Sequence, residues 1–393
     1  MNEQTIVIAG AKRTAIGSFQ GQFNGYPTPQ LGADAMRAAL QQSGLDGDQV
    51  DEVIMGCVLS GGLGQAPARQ AALAAGLPLA AGCTTVNKVC ASGMKSMMLA
   101  HDLIRAGSAK VIIAGGMESM SNAPYLLPKA RSGYRMGHGE VLDHMFLDGL
   151  QSPYDKQMMG YFGEMCADKY QFTREQQDAF ARESVERAQR AVGAEFNDEI
   201  VPVTIKGRKG DITVTQDEEP GRCVIDKIPT LRPAFRKEGG TITAASASGI
   251  SDGAAACVLL SAADAEQRGI TPLARIAGHA THSQEPEWFT TAPVGAIRKL
   301  LDQLGWQADD VDLYEINEAF AVVTMAAMTE FNLDHSKVNV NGGACALGHP
   351  IGASGARIVV TLLHSLIQRG LRRGIAALCI GGGEATAIAI ERD

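Results

Sequence analysis

Four residues with reactive or polar side chains stand where strand-like runs give way to turns. In "TTVNKVCASGMKS" (84–96), Cys90 follows a β-branched run and precedes apolar residues at helical spacing. A thiol at a helix start meets the positive end of the helix dipole, which favours the thiolate and makes it nucleophilic. His349 sits in the glycine-rich turn of "NVNGGACALGHPIGASGAR", just before a helix whose apolar positions, from Ile358 to Ile367, predict one buried stripe. Cys379 ends the strand-like "IAALCI" before three glycines, and Asn317 opens "NEAF" after the strand-like "VDLYEI". A thiol able to act as a nucleophile, an imidazole, a second thiol and an amide thus stand near the ends of elements, where open α/β sheets usually place their ligands. Each residue also has a plain structural role open to it: packed thiols, a hydrogen-bonded histidine, a turn amide.

Such residues meet only if the chain folds as repeated units with their strand ends on one side. The segment "AMRAALQQSGLDGDQVD" (35–51) aligns without gaps to "AIRKLLDQLGWQADDVD" (296–312). "CASGMK" (90–95) then falls near "GASGAR" (352–357), and "VIIAGG" (111–116) near "ALCIGG" (377–382). Each half reads as helix, strand, glycine-rich turn, helix, strand, so two β-α-β bodies related by pseudo-symmetry are expected. Between them, 121–244 is turn-rich and charged, with one strong helix opening at the N-cap Thr173 and a capping box to Gln176.

The composition narrows the class. At 393 residues the chain is long enough for two or three domains, and 45% hydrophobic with 20% charged residues reads as globular. Eight scattered cysteines form no C-x-x-C pair, which fits a reducing cytoplasm. A net charge of −8 argues against nucleic-acid binding, no apolar run of membrane-spanning length is read, and "MNEQTIVIAG" reads as a first strand and not a signal peptide. "GGGEA" lacks the dinucleotide fingerprint. "HATH", with His279 and His282 near Glu285, has residue types that bind metal, but no second ligand cluster supports it and no metal is expected.

Taken together, "VCASG", "NEAF", "GHPIGASGAR" and "LCIGGG" resemble the four active-site motifs of the thiolases, in the family's order and at its approximate distances. "GGMESMS", "LRPAF", "SDGAAA" and "VNVNGGA" extend the likeness over essentially the whole chain. The resemblance implies an α/β thiolase fold of two βαβαβαβαββ halves in a five-layer α-β-α-β-α arrangement. Its N-terminal half would be 1–120, completed by 245–270, its C-terminal half 271–393, and 121–244 a loop domain over the coenzyme A site. It implies Claisen condensation of two acetyl-CoA molecules, or thiolysis of a short 3-oxoacyl-CoA, with CoA as substrate and no separate cofactor. Cys90 would be the acylated nucleophile, His349 its base, and Cys379 the acid serving the enolate. The N–H groups of Cys90 and Gly381 would form one oxyanion hole, and His349 with a water held by Asn317 the other. Gly381 is expected to be glycine because close backbone approach leaves no room for a side chain.

For the CoA handle, Lys206, Arg208, Lys209, Arg222, Arg232, Arg236 and Lys237 make a candidate basic patch, and Arg222 and Ser248 are the contacts that family analogy prefers. A homodimer or homotetramer in the cytoplasm is implied. The match departs from the usual biosynthetic pattern at Met158, where many relatives have a histidine, at "EPEWFTTAPVGA", at "CASG" for "CGSG" and at "GGGEA" for "GGGMG". These changes leave open a broader-chain degradative thiolase, with Met158 and Met159 adaptable and Trp288 and Phe289 space-filling. A ketoacyl synthase or a non-catalytic acyl-CoA or lipid carrier on the same scaffold are the remaining readings.

Overall fold

Strands covered on both faces need apolar side chains at successive positions, and this chain supplies them twice. The computed structural model describes residues 5–208 and 210–393. Its principal strands are β1 (Ile6–Thr14), β2 (Glu52–Gly56), β3 (Gly82–Val86), β4 (Val111–Ser119), β5 (Ser251–Ser261), β6 (Ala274–Ser283), β7 (Leu313–Ile316), β8 (Arg373–Ile380) and β9 (Glu384–Glu391). They run in the order β7-β8-β9-β6-β1-β5-β4-β2-β3. The two mixed halves of this continuous sheet join where β1 meets β6, through Val7 with Arg275 and Ile8 with Ala274. In each half the crossover pairs are parallel (β2 with β4, β7 with β8), and the later strands return antiparallel.

Helices α1 (Thr28–Ser43) and α2 (Pro67–Ala74) cover the outside of the first sheet, and α6 (Ala292–Leu304) and α7 (Ala321–Phe331) that of the second. Between the sheets lie α3 (Ser92–Arg105) and α8 (Ile351–Arg369). Period-two alternation divides β4 between layers: Val111 and Ile113 pack outward with α1, Ile112 and Ala114 inward with α3 and α8. The result is five layers, α-β-α-β-α.

The internal repeat has a structural cause at several of its identical positions. Gly44 and Gly305 end α1 and α6 in the left-handed conformation, at φ 73° and 65°. Asp51 Oδ2 accepts the N–H groups of Lys110 and Val111, and Asp312 Oδ2 those of Arg372 and Arg373, so the same aspartate anchors the start of the next strand in both halves.

One sequence expectation fails at α8. Residues 351–366 are buried all round and do not form a single stripe, because α8 is wedged between two sheets. By length and composition this helix is apolar enough to cross a membrane, contrary to the sequence reading, yet its apolar window is 89% buried inside the fold.

Within 121–244, helices α4 (Met159–Tyr170) and α5 (Arg174–Ala191) are the main elements, and Thr173 caps α5 with the expected capping box. This segment is tied to the first sheet: Ile200–Val201 pairs in parallel with the end of β1, and buried Arg13 binds Glu199 at 2.5 Å and Asp217 at 2.7 and 2.8 Å.

Candidate active site

Cys90 is held by a tight turn between β3 and α3. The N–H groups of Ala91 and Ser92 return to the carbonyls of Lys88 and Val89, and Ser92 Oγ accepts from the Lys88 N–H at 2.8 Å. Val89 adopts φ 46°, a left-handed conformation costly for a β-branched residue, so packing around the turn must stabilise it. Cys379 lies near the end of β8, opposite Ala385 of β9, and Gly381 begins the turn joining those strands. His349 is fixed just before α8, its N–H bonded to the carbonyl of Gly249 at 2.9 Å. These elements come from both halves, and their ends converge between the sheets.

Cys90, His349, Cys379, Gly381 and Ser248 line one cavity of about 60 Å³ together with Met159, Phe289, Phe320, Leu150 and Ile351. Accessible surface leaves Cys90 half-buried, but desolvation dominates its chemistry and pushes the thiol up to about 11. The backbone N–H groups of Gly381 and of Cys90 itself oppose this rise, and the Glu118 carboxylate adds to it. The pull of the helix end toward the thiolate is therefore outweighed by burial. Cys379 is fully buried and its thiol is pushed well above its ordinary value, by burial first and by Cys90 second.

His349 is neutral as well. Burial and then the Arg357 guanidinium lower it to about 3. Its Nδ1 lies 2.5 Å from Ser354 Oγ, which in turn donates to the carbonyl of Pro350 at 2.9 Å. With the serine hydrogen so placed, Nδ1 carries the imidazole hydrogen, and Nε2, buried and without a protein partner, is left as a base.

Asn317 is 1% exposed and does not line the cavity; neither polar atom of its side chain has a protein partner. Ser248 Oγ donates to the carbonyl of Ala319 at 3.0 Å beside the cavity. Arg222 is not brought to it: its guanidinium is exposed, 3.5 Å from Glu218, at a surface cavity of about 420 Å³ shared with Lys227 and Ala245. The basic patch is partly neutralised, because Lys206 pairs with Asp211 and Arg236 with Asp168 and Glu164; Lys209 lies outside the described residues.

At Gly381 an added Cβ would stand 3.5 Å from Met159 Sδ and 3.9 Å from Val89 Cγ1, ordinary contacts. Protein packing alone leaves room there. Among the altered segments, Met159 and Phe289 line the cavity, whereas Met158 does not and Trp288 lies under the Lys169 ammonium at 4.4 Å. His279 and His282 do not converge, because residues three apart on β6 face opposite sides.

Sequence reasoning missed Glu118, Ser354 and Arg357. Glu118 is fully buried, accepts the N–H groups of Val58, Leu59 and Gly352 at 2.9–3.1 Å, and is pushed up to about 7, chiefly by desolvation. Only the position of Ser354 in the first turn after His349 offered a signal.

Comparison with known proteins agrees with this geometry. Residues 6–263 match the family described as thiolase, N-terminal domain, and residues 270–392 match thiolase, C-terminal domain. An acetyl-CoA acetyltransferase of Pseudomonas aeruginosa is 50% identical over 99% of this chain and 100% of its own, and acetyl-CoA acetyltransferase 2 of Arabidopsis thaliana is 50% identical over 100% and 98%. Among solved structures, the acetyl-CoA acetyltransferase of Bacillus anthracis superposes with a TM-score of 0.96 at 42% identity, covering 98% of both chains. The Acat5 thiolase of Ascaris suum, solved in complex with coenzyme A, gives 0.94 at 43%, covering 99% of this chain and 100% of that one. With both domains matched across nearly all its length and half its residues shared with such relatives, the chain belongs to the thiolase family.

Proposed function

We propose that this thiolase is an acetyl-CoA C-acetyltransferase, interconverting acetoacetyl-CoA plus CoA with two acetyl-CoA molecules through an acetylated Cys90. The observation that carries the reading is the convergence of two thiols and an unpartnered imidazole nitrogen on one acetyl-sized cavity. In thiolysis His349 Nε2 takes the Cys90 proton as sulfur attacks the ketone carbon. The bond between C2 and C3 breaks, leaving acetyl on Cys90 and an acetyl-CoA enolate that takes its proton from Cys379. CoA–SH then returns a proton to Cys379 and its sulfur takes the acetyl group, while Cys90 leaves and recovers its proton from His349. Oxyanions are met by the N–H groups of Cys90 and Gly381 on one side, and by His349 with a water held by Asn317 on the other. One such donor is worth about 3–4 kcal/mol in the transition state.

The scheme calls for CoA and its acyl thioesters as partners. Ala245 borders the cavity of Arg222 and Ser248 the catalytic one, so the loop between them offers a path for the pantetheine arm from exposed cations to Cys90. The small cavity and Phe289 favour acetyl over longer acyl groups; the adaptable Met159 is the feature that favours a broader-chain thiolase as the second reading. A cytoplasmic homodimer or homotetramer completes the proposal. Incubation with acetoacetyl-CoA and CoA should yield acetyl-CoA, and intact mass should place one acetyl group on the Cys90 peptide. With acetyl-CoA as donor, Cys379→Ser should still be acetylated on Cys90, yet it should lose cleavage of acetoacetyl-CoA. Acetyl on another cysteine, or none, overturns the mechanism, and binding without turnover favours a carrier.

A further inference from the structure

Away from the catalytic cavity, the fold assembles a cluster that neither motif nor repeat suggests. His101 and Asp102 lie in the last turns of α3, and His279 projects from β6 of the other half toward them. His101 Nδ1, Asp102 Oδ1 and His279 Nε2 form a nearly equilateral triangle with sides of 2.9, 3.0 and 3.2 Å. The two imidazole rings meet edge to face, 4.9 Å between centroids and 89° between planes. His101 and His279 side chains are 8% and 16% exposed, while Asp102 is 56% exposed, so the triangle has one side enclosed by protein and one open to solvent.

Two neutral imidazoles bring at most one hydrogen each to the triangle. If both donate to Asp102 Oδ1, that one oxygen must take both bonds with the two nitrogens only 3.2 Å apart; if either does not, a nitrogen lone pair faces a carboxylate or another lone pair. A cation above the triangle engages all three lone pairs at once. Tetrahedral zinc with bonds of about 2.0–2.1 Å places its ligand atoms roughly 3.3 Å apart, close to the observed sides, so small rotamer adjustments suffice. Two imidazoles and one carboxylate suit zinc-like divalent ions better than magnesium or calcium, which take all-oxygen shells.

We propose that His101, Asp102 and His279 form a binding site for a divalent transition-metal ion of the zinc type, clipping α3 of the first half to β6 of the second. The open side leaves a fourth position for water. The site lies on the last turns of the helix that Cys90 precedes, so the ion stabilises the joint between the halves and takes no part in the reaction.

The test is titration of chelator-treated full-length protein with Co²⁺, read by visible absorption. One ion per chain should bind, with the d–d bands of nitrogen and oxygen ligation, and Zn²⁺ should displace it. Ligation by any of the eight cysteines would instead give an intense near-ultraviolet thiolate band. Asp102→Asn and His279→Gln should each weaken binding at least about tenfold and abolish the rise in Tm caused by Zn²⁺, with thiolase turnover unchanged. His282→Gln should bind as the parent does. If His279→Gln does not fold, the exposed Asp102→Asn decides the matter. Absence of the d–d bands, thiolate-type bands, or undiminished binding by Asp102→Asn overturns the proposal.

Discussion

Two opposing effects act on the Cys90 thiol: burial raises it, while the N–H groups of Gly381 and Cys90 lower it, and burial wins at about 11. His349 is lowered to about 3, so the resting pair at pH 7 is thiol and neutral imidazole. A thiol raised this far is protonated throughout the neutral range, and its thiolate fraction grows about tenfold per pH unit. Alkylation of Cys90 by iodoacetamide in the free enzyme should therefore climb about tenfold per unit from pH 7 to 9. A rate already level at pH 7 would indicate a preformed thiolate–imidazolium pair instead. Phe289, 3% exposed on the cavity wall, is the side chain best placed to limit acyl length. Two extra methylenes are worth roughly 1.6 kcal/mol when buried, so Phe289→Ala should raise the six-carbon to four-carbon ratio of kcat/KM roughly tenfold. An unchanged ratio assigns that limit elsewhere.

The central helices α3 and α8 are the elements that bring the catalytic residues together, because Cys90 and His349 each lie just before one of them. Their approach depends on equivalent glycines of the repeat. A Cβ on Gly355 would come within 2.5 Å of the Met94 nitrogen, and one on Gly93 within 2.9 Å of the Ala356 nitrogen. Gly355→Ala must push the helices apart, at a cost of about 1–3 kcal/mol as in other overpacked cores. Urea unfolding should show that loss, and kcat should fall with it because Cys90 and His349 move with their helices. Full stability and full turnover would mean that the contact tolerates a methyl group.

At the scale of the whole molecule the two halves are not equivalent at their outer edges. In the first, among the described residues, β3 pairs with β2 alone and leaves its other side open, with Thr84 exposed. In the second, the corresponding position is reduced to an isolated bridge between Tyr314 and Val338. An open edge strand is an aggregation hazard unless covered, and pairing with the same strand of a second copy across a twofold would cover it. Light scattering at micromolar concentration should give at least twice the mass of one chain. A monomer would contradict this use of the edge.

The chain alone disclosed the features governed by neighbours in sequence. The repeat, the turn positions of Cys90 and His349 and the capping box at Thr173 depend on local spacing and backbone preference, so they were legible before folding. Motif resemblance singled out Cys379 and Gly381 from the sequence as well, and protein packing alone does not require glycine at 381. What depends on desolvation and on partners hundreds of residues apart was decided by tertiary structure. The Cys90 thiol is protonated because of the walls around it, His349 is held neutral by burial and Arg357, and Glu118 caps the start of α8 from 234 positions away. In the same way "HATH" suggested a pairing of His279 with His282 that strand geometry forbids, whereas packing α3 against β6 gives His279 the neighbours His101 and Asp102. Dielectric environment and long-range contact are properties of the folded interior, and a one-dimensional spacing carries neither.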